Sequence, residues 1–449
     1  MKDKRQSSVW VKAAVLIFWL AVWQGVAYLI HNKILLAGPA DVLLRLFEEV
    51  GKRSVYLSVA GTLCRILAGF FSGLLAGLVF GSLAYRFRMV KLFLEPVVAA
   101  MKAIPVAAFV VLVLIWAGSK NLAVPIAFLV VFPYIYINTW TGLSQTPKDM
   151  LEMAESFSMR RMNRILHIYR PALMPYLLSA VRVTIGMAFK SGIAAEVIGI
   201  PEFSIGEKMY LSKIYLDTEG VLAWTVVVLL LSFLCEKGIL ALLEWLGSAR
   251  ICVLCGSREK QPEQERARGF TFAPMEKMYE SGTRIQTPEL ILSQCDRVGV
   301  MGESGCGKTT WFRLLLLQGN VKASSVFQED RLCSSYSAVD NVKMVCLKEN
   351  EEQIRQALQE LLPGEALDRP VDQLSGGMRR RVAVVRACLA GGNLLLMDEP
   401  FTGLDEENRE KTAAFILAYQ DGRSLLFTTH QENDIALFDA KCVQFAKKN

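Results

Sequence analysis

Two long uncharged apolar runs, residues 13–30 and 66–85, decide what kind of chain this is. Each suffices to cross hydrocarbon, which takes about 20 residues as helix. The first follows Lys2, Lys4, Arg5 and Lys12. A secretory leader would have a shorter apolar core and a small-residue cleavage site, so this run reads as an uncleaved span. The second is bracketed by Arg65 and Arg86, and its Gly69, Gly73, Gly77 and Gly81 recur at every fourth position. That stripe lies on one helix face and permits close helix approach in lipid. Residues 103–119 and 121–146 supply two further spans, with Pro105, Pro125 and Pro133 inside or at their edges. Such prolines are tolerated where neighbouring helices or a water-filled cavity satisfy the freed backbone. Residues 178–200 form the fifth, interrupted by Lys190 and Glu196. Ionisable groups there face a pathway or a partner, or form a structural pair. Residues 221–243 form the last. The expected N-terminal fold is therefore an all-α polytopic membrane domain of about six transmembrane helices.

Charge placement orients it. The basic N-terminus, the Arg86–Arg88–Lys91 turn and the segment with Lys148, Arg160, Arg161, Arg164 and Arg170 are expected in the cytoplasm. Both termini then lie on that side of a cell membrane. The first external loop fits less well, because it carries Lys33, Arg45, Lys52 and Arg53. The net charge of +7 is too small for 449 residues to argue for nucleic acid, and in a membrane chain it marks loops facing anionic lipid. Ten cysteines follow no framework spacing, and free thiols are expected. Cys252 and Cys255 form a lone CxxC without a second pair or nearby histidine, and read as membrane-flanking thiols.

Apolar content falls after about Leu246, and residues 256–269 are densely charged. The expected division is a membrane domain over 1–255, a linker over 256–269 and a soluble α/β domain over 270–449. In that last part, the apolar strand Val298-Gly-Val-Met runs into Gly302-Glu303-Ser304-Gly305-Cys306-Gly307-Lys308-Thr309-Thr310 and then an apolar helix. Strand, glycine loop and helix make a phosphate-binding loop in its required context. Glycines let backbone N–H groups approach phosphates at a helix N-terminus. Lys308 is expected to reach the β- and γ-phosphates and the Thr309 hydroxyl to ligate Mg²⁺. Cys306 reads as a small residue that fits the loop. Leu394-Leu-Leu-Met ends in Asp398-Glu399, a buried strand delivering two carboxylates. Asp398 is expected to hold Mg²⁺ and Glu399 to polarise the attacking water, so the pair means ATP hydrolysis.

Leu374-Ser375-Gly376-Gly377-Met378, opening a basic helix, resembles the signature motif of ATP-binding cassette proteins. The resemblance implies a P-loop NTPase fold in which Ser375, Gly376 and Gly377 cap the γ-phosphate held by a second subunit. It implies that Gln328 senses Mg²⁺ or water and contacts a coupling helix, that Asp405 of Gly403-Leu404-Asp405 belongs to the D-loop, and that His430 contacts γ-phosphate. Tyr279 would stack on adenine, with Phe270 or Phe272 as substitutes. Lys308 and Gln328 are only 20 positions apart, about half the family's usual distance, so the antiparallel β-subdomain looks shortened.

In the first half, Glu152-Met-Ala154, Ser158 and Ile168-Tyr-Arg-Pro171 resemble the EAA loop of binding-protein-dependent importer permeases. Met153, Ser158 and Arg170 depart from that loop's usual alanine, glycine and leucine. Glu95-Pro96, Ile104-Pro105, Val131-Phe-Pro133 and the stretch from Arg182 to Glu196 resemble the sulfonate, taurine, nitrate and bicarbonate branch. The likeness implies a homodimeric importer of a small anion, using ATP and Mg²⁺ and served by an extracytoplasmic substrate-binding protein. An exporter half-transporter and an ATP-binding membrane switch are the alternatives. Exporters of that kind usually carry long cytosolic helical extensions, whereas the inter-span loops here are short.

Overall fold

The computed structural model describes residues 2–248, 253, 269–278, 284–303, 306–317, 321–346 and 351–445. Cys252 and Cys255, and the linker apart from Gly269, lie outside them. The chain divides into two compact units.

The first unit takes residues 1–145 and 172–249. It is helical: α1 (Lys2–Ile30), α2 (Pro39–Val50), α3 (Arg53–Arg86), α4 (Arg88–Ala103), α5 (Val106–Ala117) and α6 (Ala123–Ser144) come first. The second unit's α7 (Lys148–Ser156), α8 (Arg161–Arg164) and π-turn (Ile165–Tyr169) intervene. The helices α9 (Arg170–Gly199), α10 (Ile205–Ile214) and α11 (Thr218–Ser248) complete it. The glycine stripe of α3 lies against α6 as its spacing predicts. A Cβ at Gly69 would stand 2.3 Å from the Val124 carbonyl oxygen, and one at Gly77 would stand 2.6 Å from the Ile135 Cβ. Gly77→Val is therefore expected to force the two backbones apart and cost about 1–3 kcal/mol or more. Thermal aggregation of the full chain in detergent would register this as an earlier onset, and an unchanged onset would contradict the tight crossing.

Among the described residues, four helical stretches are long and apolar enough to cross a membrane: α3, α6, Arg161–Gly199 and α11. The expected third span, residues 103–119, holds the 12-residue α5. α4 and α5 meet at 104°, and they count as a fifth crossing only if taken as a single broken span. The break follows from Pro105, which disfavours helical backbone at Ile104, and Ile104 has ψ 130°. The expected first span corresponds to the shorter apolar stretch Ala14–Ile30 of α1. Three of the four misplaced basic residues of the first loop have carboxylate partners. Lys33 meets Asp41 at 2.7 Å, Arg45 meets Asp217 at 3.0 Å and Lys52 meets Glu49 at 2.6 Å. Glu196 is fully buried, accepting from the Thr62 hydroxyl at 2.7 Å and pairing with Arg65 at 3.4 Å.

The second unit takes residues 146–171 and 250–449, so the segment between the fourth and fifth expected spans groups with the C-terminal half. Short strands β1 (Phe270–Phe272) and β4 (Leu290–Leu292) pair antiparallel, as do β2 (Glu276–Met278) and β3 (Arg284–Gln286). These three-residue ladders are the antiparallel layer among the described residues. The main sheet is parallel: β5 (Arg297–Met301), β6 (Ala323–Val326), β7 (Leu394–Asp398), β8 (Ser424–Thr429) and β9 (Lys441–Gln444), in the order β6-β7-β8-β5-β9. β7 and β8 are buried throughout, which suits their apolar stretches 394–397 and 425–427. Helices α12 (Lys308–Leu317), α13 (Ala338–Lys343), α14 (Glu351–Leu361), α15 (Gly376–Leu389), α16 (Glu406–Ala418) and α17 (Glu432–Leu437) complete the unit.

Candidate active site

A parallel sheet presents ligands with the carboxyl ends of its strands. Here β5 leads into residues 302–308, β6 into Gln328, β7 ends at Asp398 before Glu399, and β8 ends just before His430. Four segments distant in sequence are thus gathered on one edge.

At β5, Gly302 is required by close approach. A Cβ there would stand 2.6 Å from the Phe445 carbonyl oxygen and 3.0 Å from the Cys306 Sγ. Gly307 has φ +110°, a conformation side chains disfavour. Cys306 is buried and Glu303 exposed. Lys308, 6% exposed, donates its ammonium to the carbonyls of Gly302 at 2.5 Å and Glu303 at 3.1 Å. Thr309 and Thr310 begin α12, and the Thr309 hydroxyl lies 3.5 Å from the Gln328 Oε1. Ser304, Gly305 and Tyr279 lie outside the described residues. Phe270 and Phe272 do not offer a stacking face in Tyr279's place, because both are buried in the core cluster with Leu290 and Leu292.

At β7 and β8, the Thr428 hydroxyl donates to Asp398 Oδ1 at 2.6 Å and accepts the Glu399 N–H at 3.0 Å. Glu399 has φ +49°, a left-handed conformation that costs on the order of 1–3 kcal/mol in a non-glycine residue. Its carboxylate meets His430 Nε2 at 2.7 Å and the Thr402 hydroxyl at 3.2 Å. Glu399, Thr402, His430 and Arg409 line a cleft of about 260 Å³.

Ser375 caps α15 by accepting the Met378 N–H at 3.3 Å. Ser375 and Gly376 are exposed, and no hydrogen bond joins them to the loop at Lys308 among the described residues. Gly377 approaches the Gly403 carbonyl, where a Cβ would stand at 3.0 Å. Asp405 caps α16 by accepting the Asn408 N–H at 3.0 Å, and this bond holds its carboxyl below the usual carboxylate range.

Arg380 was not anticipated as a site residue. It is 2% exposed, and its guanidinium donates to the carbonyls of Phe327 (2.6 Å), Asp398 and Glu399 (2.6 Å), and to Asp330 Oδ1 (3.1 Å). One side chain therefore ties the segment around Gln328 to the end of β7. Burial draws its pKa below the ordinary arginine value, against the opposing pull of Asp330. The signal was present in the sequence: Arg380, Ala383, Val384 and Ala387 recur at helical spacing, and all are buried.

The segment 146–171 belongs to this unit through equally specific contacts. Arg331, 8% exposed, donates to Glu152 Oε2 at 3.0 Å and Asp149 Oδ1 at 3.1 Å. Arg313 approaches the same two carboxylates at 3.6 and 3.5 Å. Phe157 is 1% exposed under the Arg386 guanidinium, 5.1 Å from its ring centre. Ser158 has φ +47°, which gives the usual glycine there its physical reason.

Comparison with known proteins agrees with this geometry. Residues 73–266 match the family described as binding-protein-dependent transport system inner membrane component, and residues 317–402 match the ABC transporter family. The taurine transport system permease protein of Escherichia coli is 25% identical over 230 residues, covering 50% of this chain and 83% of that protein. The thiamine import ATP-binding protein of Vibrio parahaemolyticus is 33% identical, covering 32% of this chain and 74% of that protein. The aliphatic sulfonates import ATP-binding protein of Yersinia pestis is 32% identical, covering 38% and 70%. Permease likeness and ATPase likeness thus meet in one polypeptide, a multi-pass membrane protein that binds ATP and couples its hydrolysis to transport. The chain belongs to the ATP-binding cassette transporter family, as an importer-type permease fused to its ATPase and related to the taurine and sulfonate systems.

Proposed function

We propose that two copies of this chain import a small anion such as a sulfonate or nitrate, handed over by a separate extracytoplasmic binding protein. The observation that carries the coupling is the pairing of Arg331 with Asp149 and Glu152, which fastens the EAA-like segment to the cassette. One permease and one cassette per chain make a closed two-fold dimer the economical assembly. The cassettes and both termini then lie in the cytoplasm, where ATP is.

In this reading Lys308 releases the loop carbonyls to bind the β- and γ-phosphates. The residues suit Mg²⁺: Thr309 Oγ1, Gln328 Oε1 and the Asp398 carboxylate are hard oxygen donors. Mg²⁺ is commonly held by one or two carboxylates plus substrate phosphates, and no cluster of three acidic, histidine or cysteine ligands occurs among the described residues. When bound, Mg²⁺ neutralises charge developing on the transferred phosphoryl oxygens. Glu399 takes the proton from the attacking water, and His430, in contact with it, places the γ-phosphate. Ser375, Gly376 and Gly377 of one copy close over the nucleotide of the other, with Asp405 at the seam.

Cells expressing the full chain should accumulate radiolabelled taurine or nitrate, and cold osmotic shock, which removes soluble extracytoplasmic proteins, should abolish this. Uptake that survives shock overturns the separate binding protein. ATP-dependent efflux overturns import. ATP hydrolysis without movement of either anion overturns the assigned cargo class.

A further inference from the structure

One face of α9 carries two basic groups inside the fifth crossing. Ser179, Arg182, Gly186, Lys190 and Ala194 recur at three- and four-residue spacing and are all exposed. The opposite face is packed into the core through Val181, Ile185, Ala188 and Phe189. Small residues alternate with the two cations along the exposed face, and a Cβ at Gly186 would meet no atom within 4 Å. By contrast, Arg65 pairs with Glu196, Lys91 lies over the Trp140 ring and Lys237 over the Phe233 ring. Arg182 and Lys190 have no partner among the described residues. Nor can Glu196 neutralise them, because both of its oxygens are taken by Thr62, Arg65 and the Gly206 N–H.

Lys190 lies within the fifth crossing, eight positions or about 12 Å along the helix from Arg182. A charge at that depth is costly against lipid, and such residues turn to a bundle interior or a water-filled cavity. Among the described residues that face has no covering helix, and one chain carries a single permease. We infer that the α9 face bearing Arg182, Gly186 and Lys190 meets the same face of a second copy and lines a water-filled anion path, with Lys190 as the charge-selecting group. Two-fold symmetry sets four cations around such a path with no exposed carboxylate on either face, a field that concentrates small anions and repels cations. The inference rests on the anion-import reading and names the residues that would enforce it.

The test does not depend on the transported substrate. Gly186→Cys and Ala194→Cys are introduced separately into the full chain in native membranes. Each is treated with the sulfonate-bearing or the trimethylammonium-bearing ethyl methanethiosulfonate, and labelling of the parent chain is subtracted. Modification of either cysteine is expected, with the anionic reagent favoured. In the Lys190→Gln background the anion-to-cation rate ratio should fall about tenfold. Absence of modification at both positions would put the face in lipid and overturn the inference. A ratio unmoved by Lys190→Gln would overturn the selecting role. Failure of taurine and nitrate uptake with a shifted ratio would instead count against the cargo assignment alone.

Discussion

Replacing Glu399 with glutamine is expected to lower ATP hydrolysis by about 10²–10⁴-fold, the usual worth of a positioned general base. The change is isosteric, and the contacts that hold the residue survive it. The backbone N–H still donates to the Thr428 hydroxyl, the remaining side-chain oxygen accepts from His430, and the amide N–H can donate to the Thr402 hydroxyl. Only the capacity to take a proton is lost. Nucleotide binding should persist, because Lys308, Thr309 and Asp398 are untouched. The measurement is phosphate release by the full chain in lipid, beside retention of labelled ATP. Hydrolysis within about threefold of the parent would remove Glu399 as the base. Loss of both hydrolysis and ATP retention would mean that the side chain shapes the pocket instead.

The second large effect is expected at Arg380. Its guanidinium serves the carbonyls of Phe327, Asp398 and Glu399 and the Asp330 carboxylate, almost without solvent. Arg380→Gln leaves Asp330 without that partner and orphans buried carbonyls, a change that typically costs about 3–5 kcal/mol. Arg380→Lys should fare little better, since a single ammonium cannot span acceptors on two strands. The expected signature is a lowered midpoint of denaturation with hydrolysis reduced about 100-fold in whatever fraction remains folded, because Glu399 and Gln328 lose their common anchor. Arg379, exposed one position earlier, is the control: Arg379→Gln should shift stability by no more than about 0.5 kcal/mol. Equal behaviour of the two variants would refute the anchoring role.

Much of this was legible in residue order. The glycine stripe of α3 announces its close crossing, because a repeat of four on a helix always falls on one face. The strand, glycine loop and Lys308 are local chemistry, as are the two carboxylates closing an apolar strand. Other features were visible without their cause. Ser158 stood out as a departure from glycine, but only its left-handed backbone says why glycine belongs there. Lys33, Arg45 and Lys52 stood out in the first loop, but only the fold shows that each meets a carboxylate. Pro105 was visible at the edge of the third span, but only the backbone shows the 104° bend between α4 and α5 there.

What the sequence by itself determined is everything set by near neighbours: apolar lengths, helix faces, loop glycines and the order of the phosphate and carboxylate motifs. Only tertiary structure decided which residues fasten 146–171 to the cassette, with Arg331 holding Asp149 and Glu152, and that Arg380 joins Gln328's segment to β7. Those are pairings across 18 to 182 positions, many of them made to backbone carbonyls. A backbone acceptor leaves no mark on residue identity, so such partners become readable only once the chain has brought them within hydrogen-bonding distance.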